Sequence, residues 1–238
     1  MQLFFSDNIS SIEGRLTEDE SRHCLSVLRK KTGDTIQVID GKGFIYDCLI
    51  SQDKKICAFI VQQVHEIKPL RTSRIHLAIA PTKNADRIEW LLEKAIEAGL
   101  DEISFVHCVH SEKPRVNSER LKKIAVSAIK QSGQPYLPVI NELRSFKEFI
   151  AAQQSASQKL IAHCNSEYLR TPLNNVLSGY SKDTSVTILI GPEGDFSDKE
   201  IMLANESKFQ GISLGNSRLR TETAGLYSVM LANGILLP

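Results

Sequence analysis

The chain of 238 residues balances 29 Lys+Arg against 28 Asp+Glu, a formal charge of +1, and 42% of its side chains are apolar. This composition excludes a disordered chain, and 13 Gly with 8 Pro exclude a collagen-like one. No run approaches the roughly 20 apolar residues of a membrane helix.

The start, Met1-Gln2-Leu3-Phe4-Phe5-Ser6-Asp7, lacks the basic region of a signal peptide. Cys24, Cys48, Cys57, Cys108 and Cys164 are scattered without a Cys-x-x-Cys pair, and read as reduced thiols in a cytoplasmic protein with no metal site. In residues 1–70 β signals dominate. Thr17-Glu18-Asp19-Glu20 reads as a capping box opening a short helix with Leu25, Val27 and Leu28. Thr35 to Ile39 predicts a strand and Asp40-Gly41-Lys42-Gly43 a turn. Phe44 to Ile50 then returns with Phe44, Tyr46, Cys48 and Ile50 on one face, and Ile56 to Val64 is a third run. One helix and several short strands predict a small β-barrel or open sheet.

Past Lys68-Pro69-Leu70-Arg71 the rhythm changes, so a second domain is expected over residues 71–238. Strands are predicted at Ile75 to Ala80, Ile103 to Val106, Leu160 to Ala162, Val186 to Ile190 and Ile212 to Leu214. Between them fall helices. Asn84 to Ala98 buries Ile88, Leu91, Leu92, Ala95 and Ile96 and closes on Gly99. Ser118 to Ser132 is closed by Gly133. Phe146 to Gln153 follows, then a helix capped by Ser197-Asp198-Lys199-Glu200, and one from about Thr221 toward Leu236. Alternating strands and helices imply an α/β domain with a parallel sheet covered on both faces.

Two loops stand out. Ile190-Gly191-Pro192-Glu193-Gly194 ends a buried strand, where α/β sheets bind ligands and where glycines admit close backbone approach. A plain strand-to-helix turn has the same pattern. Leu214-Gly215-Asn216-Ser217-Arg218-Leu219-Arg220-Thr221-Glu222-Thr223 packs polar groups densely at a helix start, which is costly unless they bind something or one another. An Arg220–Glu222 ion pair anchoring the loop, with Thr221 and Thr223 as caps, is the competing structural account. Six basic residues and one acid lie between Lys113 and Lys130, either a phosphate-attracting stripe or a solvated helix face. Neither a P-loop nor a G-x-G-x-x-G dinucleotide loop is present. The polar cluster His107-Cys108-Val109-His110 reads as incidental residues at a strand end.

The paired loops, with Leu214-Gly215 leading to Leu219-Arg220-Thr221-Glu222-Thr223-Ala224, resemble the RsmE family, 16S rRNA (uracil-N3)-methyltransferases of the SPOUT class. Arg87-Ile88-Glu89-Trp90 through Gly99, Gln131-Ser132-Gly133, Leu160 to His163 and His23-Cys24 through Arg29 extend the resemblance over nearly the whole chain. It implies a PUA-like RNA-binding β-barrel over 1–70 and a trefoil-knotted SPOUT methyltransferase domain over 71–238. S-Adenosyl-L-methionine would be held by His163, Ile190, Gly191, Pro192, Glu193, Gly194, Leu214, Gly215, Ser217, Leu219, Thr221 and Thr223. Arg220 would stabilise charge on the uracil, and Glu222 would accept the N3 proton or orient Arg220. Arg29, Lys83, Arg87, Lys113, Arg115 and Lys122 would grip RNA phosphates. The expected partners are a second copy of the chain, as a homodimer, and 16S rRNA within the assembled small ribosomal subunit. The competing functions are a ribose 2′-O-methyltransferase with similar loops and a non-catalytic ribosome-assembly factor.

Overall fold

A computed structural model describes residues 2–112, 116–153 and 158–237. It separates two units. One comprises Met1–Pro69 together with Val126–Leu137, the other Leu70–Ala125 with Pro138–Pro238.

In the first unit, β1 (Leu3–Phe5), β2 (Glu13–Arg15), β3 (Thr35–Ile39), β4 (Phe44–Asp53) and β5 (Cys57–Glu66) form one sheet in the order β1-β3-β4-β5-β2. Only the β1–β3 pair is parallel. Beyond β1, Ser6 Oγ donates to the Arg15 carbonyl at 2.6 Å and Arg15 N donates to the Asn8 carbonyl at 3.1 Å, which joins the two edges as a barrel requires. Phe4, Ile36, Val38, Tyr46, Cys48, Ile50 and Phe59 fill its core. Helix α1 (Glu18–Arg22) starts with Glu20 N donating to Thr17 Oγ1 at 3.3 Å. The Glu20 carboxylate does not close the expected box; its Oε1 pairs with Lys130 Nζ at 2.5 Å. A π-helical turn, His23–Val27, continues α1.

A boundary at residue 70 alone leaves out the segment 126–137. Its place is set by hydrogen bonds: Gly43 N donates to the Pro135 carbonyl at 3.0 Å, Leu137 N to the Gly41 carbonyl at 2.8 Å, and the Tyr136 side-chain Oη to the Ile67 carbonyl at 2.6 Å. Strands β1 and β2 escape the sequence reading because three residues are too few to show a period.

The second unit holds a seven-stranded sheet. Its strands are β6 (Ile75–Ile79), β7 (Glu102–His107), β8 (Val139–Ser145), β9 (Gln158–Ala162), β10 (Thr171–Pro172), β11 (Val186–Ile190) and β12 (Gln210–Ser213), ordered β10-β12-β9-β11-β6-β7-β8 and all paired in parallel. All five residues of β11 are buried, as a strand covered on both faces must be. Its large apolar side chains each contribute roughly 1.5–3 kcal/mol. The polar, mostly exposed β8 lies at an edge, and the sequence reading missed it for that reason.

The helices of the second unit are α2 (Ala85–Glu97), α4 (Phe146–Ala152), α5 (Leu173–Ser178), α6 (Asp198–Glu206) and α7 (Thr221–Leu236), while α3 (Ser118–Ser132) starts in this unit and belongs to the first from Val126 on. On one face Ala78, Ala80, Ile161 and Leu189 pack with Phe149 of α4 and Ile201 of α6. On the other, α7 packs on β6 and α2. At Gly225 a Cβ would stand 3.0 Å from Ile79 Cδ1 and 3.3 Å from Leu77 Cδ2, so a glycine permits this close approach. The Ser197 capping box is complete, and a second one, Ser145 with Glu148, starts α4.

Candidate active site

Strand register brings three chain segments together. Ala162 of β9 lies opposite Ile190 of β11 on one side and Ile212 of β12 on the other. The chain therefore leaves the sheet side by side at His163, Gly191 and Leu214, at the carboxyl ends of parallel strands. Side chains then tie these exits. Thr221 Oγ1 donates to the Gly191 carbonyl at 3.2 Å, joining the two loops singled out in the sequence. Cys164 N donates to Asp195 Oδ2 at 2.7 Å, and Arg170 Nη1 donates to the His163 carbonyl at 2.9 Å. Thr221 is thus the joint between loops rather than a helix cap.

Ile190, Gly191, Pro192, His163, Thr221 and Glu222 are buried, and Leu214 is half-buried. Glu193, Gly194, Gly215, Ser217, Leu219, Arg220 and Thr223 are exposed. Gly215 has φ +112°, with open space where a Cβ would stand. At Gly191 a Cβ would meet the Phe196 ring at 3.0 Å, and at Gly194 it would meet His110 Cβ at 3.0 Å. His163 is 4% exposed and neither ring nitrogen has a hydrogen-bond partner. Burial lowers its pKa, with Asp195 opposing and Arg170 adding to the shift, so the ring is a neutral imidazole. Buried polar atoms left unpaired cost about 1–3 kcal/mol each and mark a place where a polar ligand is accommodated.

Two hollows adjoin the loops and share Arg87. One, of about 610 Å³, is lined by Asp86, Arg87, Trp90, Arg218, Leu219, Arg220, Glu222 and Thr223. The other, of about 580 Å³, has Lys83, Arg87, His110, Glu112, Glu193 and Gly194 in its wall. Glu222 is 6% exposed as a residue. Its Oε1 faces Arg87 Nε at 3.7 Å, and its Oε2 is buried without a partner. Its ion pair therefore goes to Arg87, not to Arg220. Lys83 Nζ pairs with Glu112 Oε2 at 3.0 Å. Three guanidiniums around one hollow, against two carboxylates, favour an anionic or charge-developing guest.

Among the other expected RNA contacts, Arg29 lies in the first unit, exposed with φ 55°. Lys122 is exposed on α3 and lines neither hollow. Lys113 and Arg115 lie outside the described residues. Within the basic stripe Arg120 is paired with Glu89 and Lys130 with Glu20. The sequence reading gave no role to Trp90, Asp195 or Arg170. It set His110 aside with its polar neighbours, because nothing in one dimension signals that residue 110 meets residue 194.

Residues 68–233 match the model of the RNA methyltransferase domain, and residues 16–62 match the RNA methyltransferase PUA domain. The chain belongs to this family of RNA methyltransferases. A probable rRNA-methyltransferase from Porphyromonas gingivalis is 40% identical, with a TM-score of 0.90 covering 99% of this chain and 98% of that one. The ribosomal RNA small subunit methyltransferase E of Neisseria gonorrhoeae, solved bound to S-adenosyl methionine, is 27% identical with a TM-score of 0.77 over 96% and 95% of the two chains. The enzyme of that name from Bacillus subtilis (strain 168) is 27% identical over 225 residues, 90% of this chain and 87% of its own length. The expected α/β class, with a parallel C-terminal sheet and a PUA-like N-terminal domain, is borne out. Among the described residues no helix is long and apolar enough to cross a membrane.

Proposed function

We propose that this methyltransferase transfers a methyl group from S-adenosyl-L-methionine to N3 of a uridine in 16S rRNA, acting in the cytoplasm on the assembled small ribosomal subunit. The observation that carries the reading is the Thr221–Gly191 bond, which closes two glycine-bearing loops beside a hollow rimmed by Arg87, Arg218 and Arg220. The cofactor supplies an electrophilic methyl group on a sulfonium. The residues present suit it: two loops offer backbone groups at strand ends, and His163 offers buried, unclaimed ring nitrogens.

The chain's own part is to hold and orient. His163, Ile190 to Gly194, Leu214, Gly215, Ser217, Leu219, Thr221 and Thr223 form the cofactor cage in this reading. The uracil N3 carries a proton at neutral pH, so the site must remove it and stabilise the charge left on the ring oxygens. Arg220 does the latter, and Glu222 holds Arg87 as a second cation. Arg29, Lys83, Arg87, Lys113, Arg115 and Lys122 bind phosphates, so affinity for RNA falls with salt.

The domain over 71–238 is taken as the knotted SPOUT unit. A homodimer is supported by apolar side chains left exposed on α2 and α7: Trp90 (46%), Tyr227 (43%) and Met230 (58%). Labelled cofactor and unmodified small subunits, followed by nucleoside mass analysis, test the proposal. The product expected is 3-methyluridine, lost in Arg220→Ala with cofactor affinity retained. A ribose-methylated nucleoside, or full activity in that variant, refutes the assignment.

A further inference from the structure

We infer that His110 is the proton acceptor for the methylated nitrogen. This rests on the proposed uracil-N3 chemistry and adds to it the residue that removes the proton. Glu222 has the right chemistry but the wrong access. Its Oε2 is enclosed by protein, and its Oε1 faces Arg87. A general base must come within hydrogen-bond reach of the proton it takes, about 2.6–3.2 Å.

The adjoining hollow, which shares Arg87, contains His110, Glu112 and Glu193 as possible acceptors. Glu112 is paired with Lys83 at 3.0 Å. Glu193 is exposed, as His110 is, but no described residue orients Glu193 by a hydrogen bond. The His110 ring is fixed. Its Nδ1 lies 3.1 Å from the Gly194 carbonyl and 3.0 Å from the Asp195 carbonyl. Carbonyl oxygens only accept, so Nδ1 carries the hydrogen and Nε2 of the neutral ring keeps its lone pair.

The backbone under the ring is held as well. Val109 N donates to Glu200 Oε1 at 2.9 Å, Ser111 N donates to the Cys108 carbonyl at 3.0 Å, and Cys108 N donates to Ser111 Oγ at 3.0 Å. A Cβ at Gly194 would stand 3.0 Å from His110 Cβ, so a larger residue there would push the His110 side chain by a few tenths of an ångström. The cofactor loop and the base are thus one assembly: the loop that holds the methyl donor also sets the tautomer of the acceptor.

The step balances without a further reactant. The N3–H bond breaks and its proton passes to His110 Nε2. The electron pair left on N3 forms the bond to the methyl carbon. The carbon–sulfur bond breaks, and its electrons return to sulfur as the neutral thioether. The charged groups around the ring are Lys83, Arg87, Glu112 and Glu193 in the hollow and Asp195 beside the loop.

Asparagine separates base from latch, because its Nδ2 replaces Nδ1–H toward the carbonyls while nothing replaces Nε2. In His110→Asn, titration calorimetry should find cofactor affinity within about threefold of wild type. Methyl transfer to small subunits at saturating cofactor should fall by about 10²- to 10⁴-fold. Added imidazole should restore part of the rate to His110→Gly, where the ring is missing and its space is left open. A wild-type rate in His110→Asn would overturn the inference. So would a His110→Ala enzyme that binds cofactor weakly yet turns over normally once saturated, since the ring would then be a latch alone. Wild-type protein yielding no 3-methyluridine would refute both this inference and the proposed function.

Discussion

Replacing Thr221 by valine removes one hydroxyl and keeps the shape. That hydroxyl donates to the Gly191 carbonyl across 3.2 Å, and both residues are buried. A buried carbonyl that loses its donor costs about 1–3 kcal/mol, against about 1 kcal/mol for an ordinary net hydrogen bond. At 1.4 kcal/mol per factor of ten, the balance between joined and separated loops shifts by roughly 5- to 150-fold. Cofactor binds the joined form, so the apparent Kd rises as that form is depleted. If the loops stay joined in spite of the loss, the same energy appears in global stability, at roughly 2–4 °C of Tm per kcal/mol for a chain of this size. Calorimetric titration with S-adenosylmethionine and thermal unfolding should therefore be run on the same preparation. We expect weaker binding, a lower Tm or both, and recovery in Thr221→Ser, which keeps the hydroxyl. Thr221→Val with Kd and Tm both at wild-type values would refute the idea that this bond joins the loops.

Gly215→Ala should lower Tm and weaken cofactor binding through backbone strain alone, about 1–3 kcal/mol, because φ is +112° and the side-chain space is open; an unchanged melting curve contradicts this. Met230→Lys should turn a dimer into a monomer in sedimentation velocity, and a wild type that sediments as a monomer removes the dimer from the proposal. Burial holds His163 and His76 below the ordinary histidine range, against the opposing charges of Asp195 and Glu102. The unfolded chain takes up these protons as pH falls past about 6.5, while the folded chain resists. Stability should therefore drop between about pH 7 and pH 5, by up to about 1.4 kcal/mol per pH unit for each ring. Denaturant titrations across that window should show the slope, reduced in His163→Gln; a flat profile would mean that these rings are protonated in the native state.

Much of the fold was legible along the chain because its elements carry local signals. Four of the five residues of β11 are apolar, α2 has Asn84 before it and Gly99 after it, and α7 starts at Thr221 as expected. Local chemistry also drew attention to the two loops, although a plain strand-to-helix turn and an anchoring ion pair share their residue pattern. What stayed hidden depends on contacts between distant residues. Strands β1 and β2 become strands only through their neighbours, and residues 126–137 join the first unit through bonds to Gly41, Gly43 and Ile67. Sequence spacing made Arg220 the natural partner of Glu222, two positions away. Tertiary structure gave that carboxylate to Arg87, 135 positions earlier, because α2 and α7 pack together. The chain by itself determined which groups are available. Only the folded sheet, by placing three strand ends level with one another, decided which of them meet.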